Sequence, residues 1–270
     1  MFKDLTPPLL YSAYLESRRK YGYFGEYQSW QEAKSKCTGY DSDKVIEKVK
    51  NSALKVKNGE AAYERDSVIF DKIDYSWPLL AALLWIASKN NNALNVLDFG
   101  GALGTSYFQN KNFLNHIKLN WNVIEQEKFV NYGKKLFEDE KLHFYKTIEE
   151  SLARQNPDII LLSSTIQYLE KPYQKLSELI KLKPPYILFD TTPFMNTKKD
   201  IITIQKVPPQ IYDASYPLWI LSKNKFISFL ADRKYKMLTD FNMQKVDIFK
   251  IKGKPVDLMG MLFARSDLQK

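Results

Sequence analysis

Cysteine is almost missing: Cys37 stands alone in 270 residues. One thiol can make neither an internal disulfide nor a multi-cysteine metal centre, so no structural metal is expected. That usage fits a reducing compartment, and we expect the cytoplasm. Histidine is nearly as scarce. His116 and His143 are the only imidazoles, which leaves little material for histidine-based acid–base work. Long apolar runs are absent as well. The most apolar stretch, residues 79–87, is far shorter than the ~20 residues that cross a bilayer. Residues 1–12 lack the apolar centre of a signal peptide and contain Pro7 and Pro8. There is no internal repeat and no arginine-rich block. The net charge of +9 is spread along the chain, so it reads as a lysine-rich surface before it reads as a nucleic-acid footprint.

What is present is a chain of three textures. Residues 1–75 read as helices and loops, an N-terminal helical extension or cap. Val45, Ile46, Val49, Ala53, Leu54 and Val56 follow helical spacing over 41–57, with Asp41 or Ser42 as cap and Gly59 just past the end. Residues 77–89 predict a second helix. From there to the C-terminus, 76–270, we expect one α/β domain. Apolar runs at 95–99, 120–125, 142–145, 157–163 and 185–190 alternate with helical stretches, which indicates buried parallel strands. Residues 235–241 and 258–264 predict a final antiparallel pair, with 246–251 as a competing strand. The proline-rich stretch 191–221 predicts a cover over the site.

One turn carries the chemistry. The first strand ends in Val96-Leu-Asp-Phe-Gly-Gly-Ala-Leu-Gly104. Glycines there allow a tight turn and close approach of the backbone to a ligand. A P-loop needs a Gly-Lys-Ser/Thr ending, which is absent, and the Gly-x-Gly-x-x-Gly dinucleotide spacing fails from either Gly100 or Gly101. The pattern that remains is Asp98, Gly100, Ala102 and Gly104. It resembles the acidic-x-Gly-x-Gly-x-Gly signature of class I methyltransferases, with Ala102 at the middle glycine. An acidic residue suits a cofactor carrying an amino group and a sulfonium rather than a pyrophosphate. The second strand ends at Glu125, where a carboxylate can accept from both ribose hydroxyls. Ser163, Ser164 and Tyr168 follow the fourth strand, beside the expected position of the methyl group. Thr147 follows the third strand, where adenine is expected; helix capping is the alternative for such Ser and Thr residues.

The residues also exclude reactions. Cytosine C5 methylation needs a cysteine near the fourth strand, and Cys37 is far from it in sequence. Amino-directed DNA methylation uses an Asp/Asn-Pro-Pro-aromatic motif there; this chain has Ser-Ser-Thr-Ile. An acceptor hydroxyl needs a proton acceptor. The candidates are Asp190 at the end of the fifth strand, Glu64 and Asp66 in Tyr63-Glu-Arg-Asp66, and Asp213 in Tyr212-Asp-Ala-Ser-Tyr216. Ion-pair or turn-capping roles compete for each.

Across most of its length, about 30–241, the chain resembles a family of bacterial methyltransferases found near surface-polysaccharide genes. The matching stretches are 59–67, 75–80, 96–104, Val123-Ile-Glu-Gln126, 163–173 and 207–219. The resemblance implies a class I fold: a seven-stranded, mostly parallel sheet with helices on both faces. It implies S-adenosylmethionine as cofactor, held by Asp98, Gly100, Gly101, Gly104, Glu125 and Gln126. It implies a site that includes Glu64, Arg65 and Asp66; a small-molecule or glycan acceptor is expected near Arg65, Tyr212 and Tyr216, with peripheral contact with membrane-linked glycan machinery as an open alternative. It also implies a basic residue just before Thr-Pro-Phe, where this chain has Thr191. The expected function is O-methylation of a sugar, nucleotide sugar or lipid-linked glycan. An inactive scaffold of the same fold is the first alternative; a nucleic-acid methyltransferase, motivated by charge alone, is the weaker one.

Overall fold

A computed structural model of the chain describes residues 20–39, 42–153, 155–209, 211, 213–243, 250–251 and 253–268. It opens with strand β1 (Gly22–Tyr27), helix α1 (Trp30–Ser35) and helix α2 (Ser42–Lys57). A hairpin of β2 (Tyr63–Arg65) and β3 (Val68–Phe70) leads to α3 (Trp77–Lys89). Strands and helices then alternate: β4 (Ala93–Phe99), α4 (Thr105–Asn110), β5 (Lys118–Ile124), α5 (Glu127–Leu136), β6 (Leu142–Tyr145), α6 (Ile148–Leu152), β7 (Ile159–Ser163), α7 (Pro172–Lys181) and β8 (Tyr186–Met195). Next come β9 (Ile201–Lys206), β10 (Ser215–Ser222), α8 (Lys223–Ala231) and β11 (Tyr235–Asn242). The short strands β12 (Lys250–Ile251) and β13 (Lys254–Pro255) precede β14 (Asp257–Arg265).

Seven strands lie in the order β6-β5-β4-β7-β8-β14-β11. The pairs β6–β5, β5–β4, β4–β7 and β7–β8 are parallel, whereas β14 runs antiparallel to both β8 and β11. In chain order that is 3-2-1-4-5-7-6 with strand seven reversed, the class I methyltransferase arrangement. The apolar runs of β4 and β7 are buried on both faces because helices cover both sides of the sheet. One core packs α2 and α3 on the sheet through Val45, Ile46, Val49, Leu83, Ile86 and Trp121. The other packs α7 and α8 through Leu176, Leu179, Phe226 and Leu230 against Ile160, Ile187 and Phe263. Among the described residues no helix is long and apolar enough to cross a membrane.

Three differences from the sequence reading matter. The N-terminal extension is not all helical. β1 adds to the sheet edge through β9, and β2–β3 form a hairpin. The stretch 191–221 is largely β: β8 continues past Asp190 to Met195 because it pairs with β14 on one side and β10 on the other. β9 and β10 then extend the sheet to ten strands. The side chain of Ser42 and all of Asp41 lie outside what is described, as do residues 246–249 of the competing strand, while Lys250–Ile251 pairs only with β13.

Helix α5 touches β6 at a glycine. A Cβ at Gly133 would come 2.4 Å from the ring of Phe144, which has no exposed surface. Gly133→Ala is expected to destabilise the fold by about 1–3 kcal/mol through overpacking. Urea unfolding should show a lower midpoint at unchanged slope; an unchanged midpoint would mean the ring has room to move.

Candidate active site

The site forms at the carboxyl ends of the parallel strands, where open α/β sheets bind ligands. β4 delivers Asp98 directly beside Val123 and Leu161 in the register. The chain then turns through Gly100 (φ 75°), Ala102 (φ 51°) and Gly104 (φ 87°), all left-handed. Gly100 and Gly104 take this conformation without penalty; Ala102, at the position of the middle glycine, takes it with strain of about 1 kcal/mol. The turn is closed by the Gly100 N–H donating to the Ile124 carbonyl at 2.9 Å and the Gly104 N–H donating to the Gly101 carbonyl at 2.9 Å. It is also close-packed. A Cβ on Gly100 would meet Thr165 Cγ2 at 2.4 Å, and one on Gly101 would meet Asp98 Oδ2 at 2.4 Å.

Asp98 lies beneath this turn with no exposed surface. Its Oδ2 accepts from the Trp121 indole N–H at 3.0 Å, and its Oδ1 has no donor among the described residues. Burial pushes this carboxyl up to about 7; the Trp121 bond pulls it down and the Glu125 charge pushes it further up. Glu125 follows β5, half-buried, with its own N–H donating to the Tyr145 carbonyl. Its Oε2 accepts from the Gln126 N–H at 2.7 Å. The Ala102 N–H, near enough to favour the charged form of the Glu125 carboxylate, pulls the carboxyl down. Burial still raises the Glu125 carboxyl above its usual range. Gln126 is exposed at the start of α5.

The end of β7 meets β8 at Asp190, which lies within that strand rather than at its end as expected and is 3% exposed. Its Oδ1 accepts from Ser76 Oγ at 3.1 Å; its Oδ2 accepts from Ser163 Oγ at 3.1 Å and Thr191 Oγ1 at 3.0 Å. Burial raises its carboxyl, against those three hydroxyls and the positive charge of Arg65. Ser164 (φ 52°) donates its N–H to the Asp190 carbonyl at 2.9 Å and its hydroxyl to the Thr191 carbonyl at 3.3 Å. Thr165 bridges the two halves: packed on Gly100, it donates to the Ser163 carbonyl at 2.9 Å.

The β2–β3 hairpin approaches from the N-terminal side. Glu64 is 3% exposed; one carboxylate oxygen accepts from Thr105 Oγ1 and the other from the Ser67 N–H at 3.3 Å. Burial raises its carboxyl. Both oxygens are engaged, so Glu64 pins the hairpin to the helix that follows the glycine turn. Arg65 Nε donates to Tyr63 Oη at 3.1 Å, within electrostatic reach of Asp190. Asp66 (φ 50°) and Ser67 (φ 67°) make the left-handed two-residue hairpin turn. Asp66 is exposed at the hairpin tip, where the charge of the neighbouring Arg65 favours its ionised form. Ser67 Oγ donates to the Ile211 carbonyl at 3.2 Å, so the hairpin tip meets the 207–214 segment.

Other expected residues lie further out. Thr147 caps α6, accepting from the Glu150 N–H at 3.2 Å. Tyr168 Oη bonds Gln205 Oε1 at 2.9 Å, and its ring meets Tyr216 edge-on at 5.2 Å. Asp213 is exposed. Tyr212 is outside the described residues. Trp121 and Ser76 escaped the sequence reading. A tryptophan in a buried strand needs an acceptor for its N–H, and that was the available signal for Trp121. Ser76 reads in sequence only as a helix cap, and its side chain makes no cap bond.

No protein-family model matches the sequence, and no curated protein matches it. Solved structures resemble it in outline. The N-terminal domain of EvdMO1, determined in the presence of SAH and D-fucose, is 11% identical, covering 84% of this chain and 97% of that one at a TM-score of 0.48. The Burkholderia thailandensis 1,6-didemethyltoxoflavin-N1-methyltransferase, with 1,6-didemethyltoxoflavin and S-adenosylhomocysteine bound, is 9% identical over 85% and 92% at 0.44. The CcbJ methyltransferase from Streptomyces caelestis is 10% identical over 69% and 89% at 0.43. The fold assignment therefore rests on the strand order itself.

Asp98 yields a stability test. Its carboxyl is raised from 3.8 to about 7 in the folded chain. The folded state thus holds this proton more tightly than the unfolded state, and stability from this group is lost as pH rises through about 7. Asp98→Asn is expected to stabilise the ligand-free protein at pH ~8 by on the order of 1–3 kcal/mol, with the gain shrinking toward pH ~4. A variant less stable than the parent at the higher pH would contradict the assignment of an uncompensated buried charge.

Proposed function

We propose that this protein is an S-adenosylmethionine-dependent methyltransferase. The observation that carries the reading is Asp98: a buried carboxylate with one oxygen lacking a donor, set under a glycine turn at the strand ends. Carboxylates at Asp98, Glu125 and Asp190 converge on these strand ends, all raised by burial. Such a site repels a pyrophosphate and favours a ligand that brings positive charge. S-adenosylmethionine carries an ammonium, a sulfonium and an adenosine, and supplies an activated methyl group. Asp98 supplies the charge facing its ammonium; Gly100, Gly101 and Gly104 let the backbone approach; Glu125 accepts from the ribose hydroxyls with its remaining lone pairs. Gln126, Thr147, Ser163, Ser164 and Tyr168 complete the surround in this reading.

The acceptor we infer is a hydroxyl of a sugar, nucleotide sugar or lipid-linked glycan, a reading supported by the sequence resemblance. Asp190 is the strongest of the four carboxylate candidates for its proton. It lies in β8 paired with Ser163 at the end of β7, whereas Glu64 is committed to tying the hairpin to Thr105, and Asp66 and Asp213 are exposed. Arg65 and Tyr216 would border the acceptor. The three hydroxyls that saturate Asp190 are what favours the second reading, a cofactor-binding scaffold without turnover.

Calorimetric titration with S-adenosylmethionine, S-adenosylhomocysteine and NAD separates the possibilities. The first two should bind saturably and NAD should not. Glu125→Ala should weaken the first two by about 1–3 kcal/mol, the scale of lost polar pairing. No binding by a well-folded sample would remove the cofactor reading, and unchanged affinity in the variant would remove Glu125 from it.

A further inference from the structure

A groove of about 660 Å³ opens on the other side of the turn Ile166–Tyr168 in the chain, where α7 begins. Four lysines line it, Lys171, Lys198, Lys199 and Lys225, against two carboxylates, Glu170 and Asp200. Asp200 is already paired, and the groove as a whole carries a net charge of +2 from four lysines and two carboxylates. Asp200 takes Lys225 Nζ at 2.5 Å, Tyr173 Oη at 3.1 Å and the Ser222 N–H at 2.8 Å. Glu170 takes Gln31 Nε2 at 3.2 Å. The ammonium groups of Lys171, Lys198 and Lys199 have no ion-pair partner among the described residues. Lys171 is also the N-cap of α7, whose first turn contains no acidic residue. Helix N-termini ordinarily attract acidic side chains, so here the positive pole and the lysines reinforce one another.

The walls are rigid rings. Trp219 stacks on Trp30 at 6.0 Å and donates its indole N–H to the Leu169 carbonyl at 3.1 Å. Tyr173 is held between Lys225, 4.5 Å from its ring centre, and Phe229 at 4.8 Å. A net charge of +2 next to fixed aromatic surface suits an anion of more than one charge joined to a ring-bearing body. A monocarboxylate would leave half of that charge unmatched.

We propose that this groove binds a diphosphate ester, with its phosphates among Lys171, Lys198 and Lys199 and its ring-bearing part against Trp219 and Tyr173. In the chain, Ser163–Thr165 precede Lys171 by six to eight residues, with the turn at Ile166–Tyr168 between them. The proposal rests on the methyltransferase reading only in making this ligand the acceptor; the binding itself does not depend on it. The diphosphate can come from a soluble nucleotide conjugate or from a lipid-linked headgroup.

The test uses the full chain without methyl donor, so its outcome and that of the cofactor titration are independent. Three probes are titrated at low salt: pyrophosphate, UDP, and phosphatidylcholine vesicles carrying a polyprenyl diphosphate sugar. At least one should bind saturably, and K198E/K199E should weaken it at least about tenfold. The control K55E/K236E makes the same charge change at exposed lysines elsewhere and should leave affinity unchanged. Binding of UDP without vesicles identifies the soluble source; binding of the vesicles alone identifies the lipid. Failure of all three probes, or an equal loss in both double variants, would overturn the proposal. Matching circular dichroism of parent and variants checks that the substitutions leave the fold intact.

Discussion

Asp98 ends a strand that is buried on both faces, so its charge has no water to face and one indole to lean on. Everything at the strand ends is arranged around that carboxylate. Gly101 lacks a side chain because a Cβ would strike it. Gly100 lacks one because Thr165 packs there, and Thr165 in turn ties the glycine turn to the fourth strand. The Gly100 N–H donates to the Ile124 carbonyl and so ties the same turn to the end of β5, next to Glu125. A buried charge with an unmet hydrogen bond is costly. Retaining it at a ligand-binding edge is intelligible when a cationic ligand supplies the missing partner.

Asp190 is a second buried carboxylate with the opposite solution. Three hydroxyls from three segments converge on it: Ser76 before α3, Ser163 at the end of β7, and Thr191 in β8. That network fixes the start of α3 against the sheet. The hairpin of β2 and β3 brings Arg65 toward it, and Glu64 anchors the hairpin to Thr105 beside the glycine turn. The N-terminal segment is therefore part of the wall of the site, and its helix α2 shares the core of the sheet.

Much of this was legible in the sequence. Continuous apolar runs such as Ile159–Leu162 can be buried only on both faces, which identifies parallel strands without knowledge of their partners. The glycine spacing after Val96 and the carboxylate at Glu125 located the turn and the second strand end. The ten-strand extension was not legible. β1 is Gly- and aromatic-rich, and β10 contains Pro217, so neither carries a clean alternating pattern, and their pairing with β9 is set by contacts distant in sequence. Likewise the three donors on Asp190 come from positions up to 114 residues away, and no local pattern encodes such a meeting.

The measurement closest to the central claim is proton release on cofactor binding. If the ammonium of S-adenosylmethionine faces Asp98, binding must draw this carboxyl below its free value of about 7. Titrations near pH ~6 in two buffers of different ionisation enthalpy should then show a proton released, with affinity tightening as pH rises from ~5.5 to ~7, below the range in which an α-amino group loses its own proton. Saturable binding with no proton release and no pH dependence across that range would contradict the role assigned to Asp98.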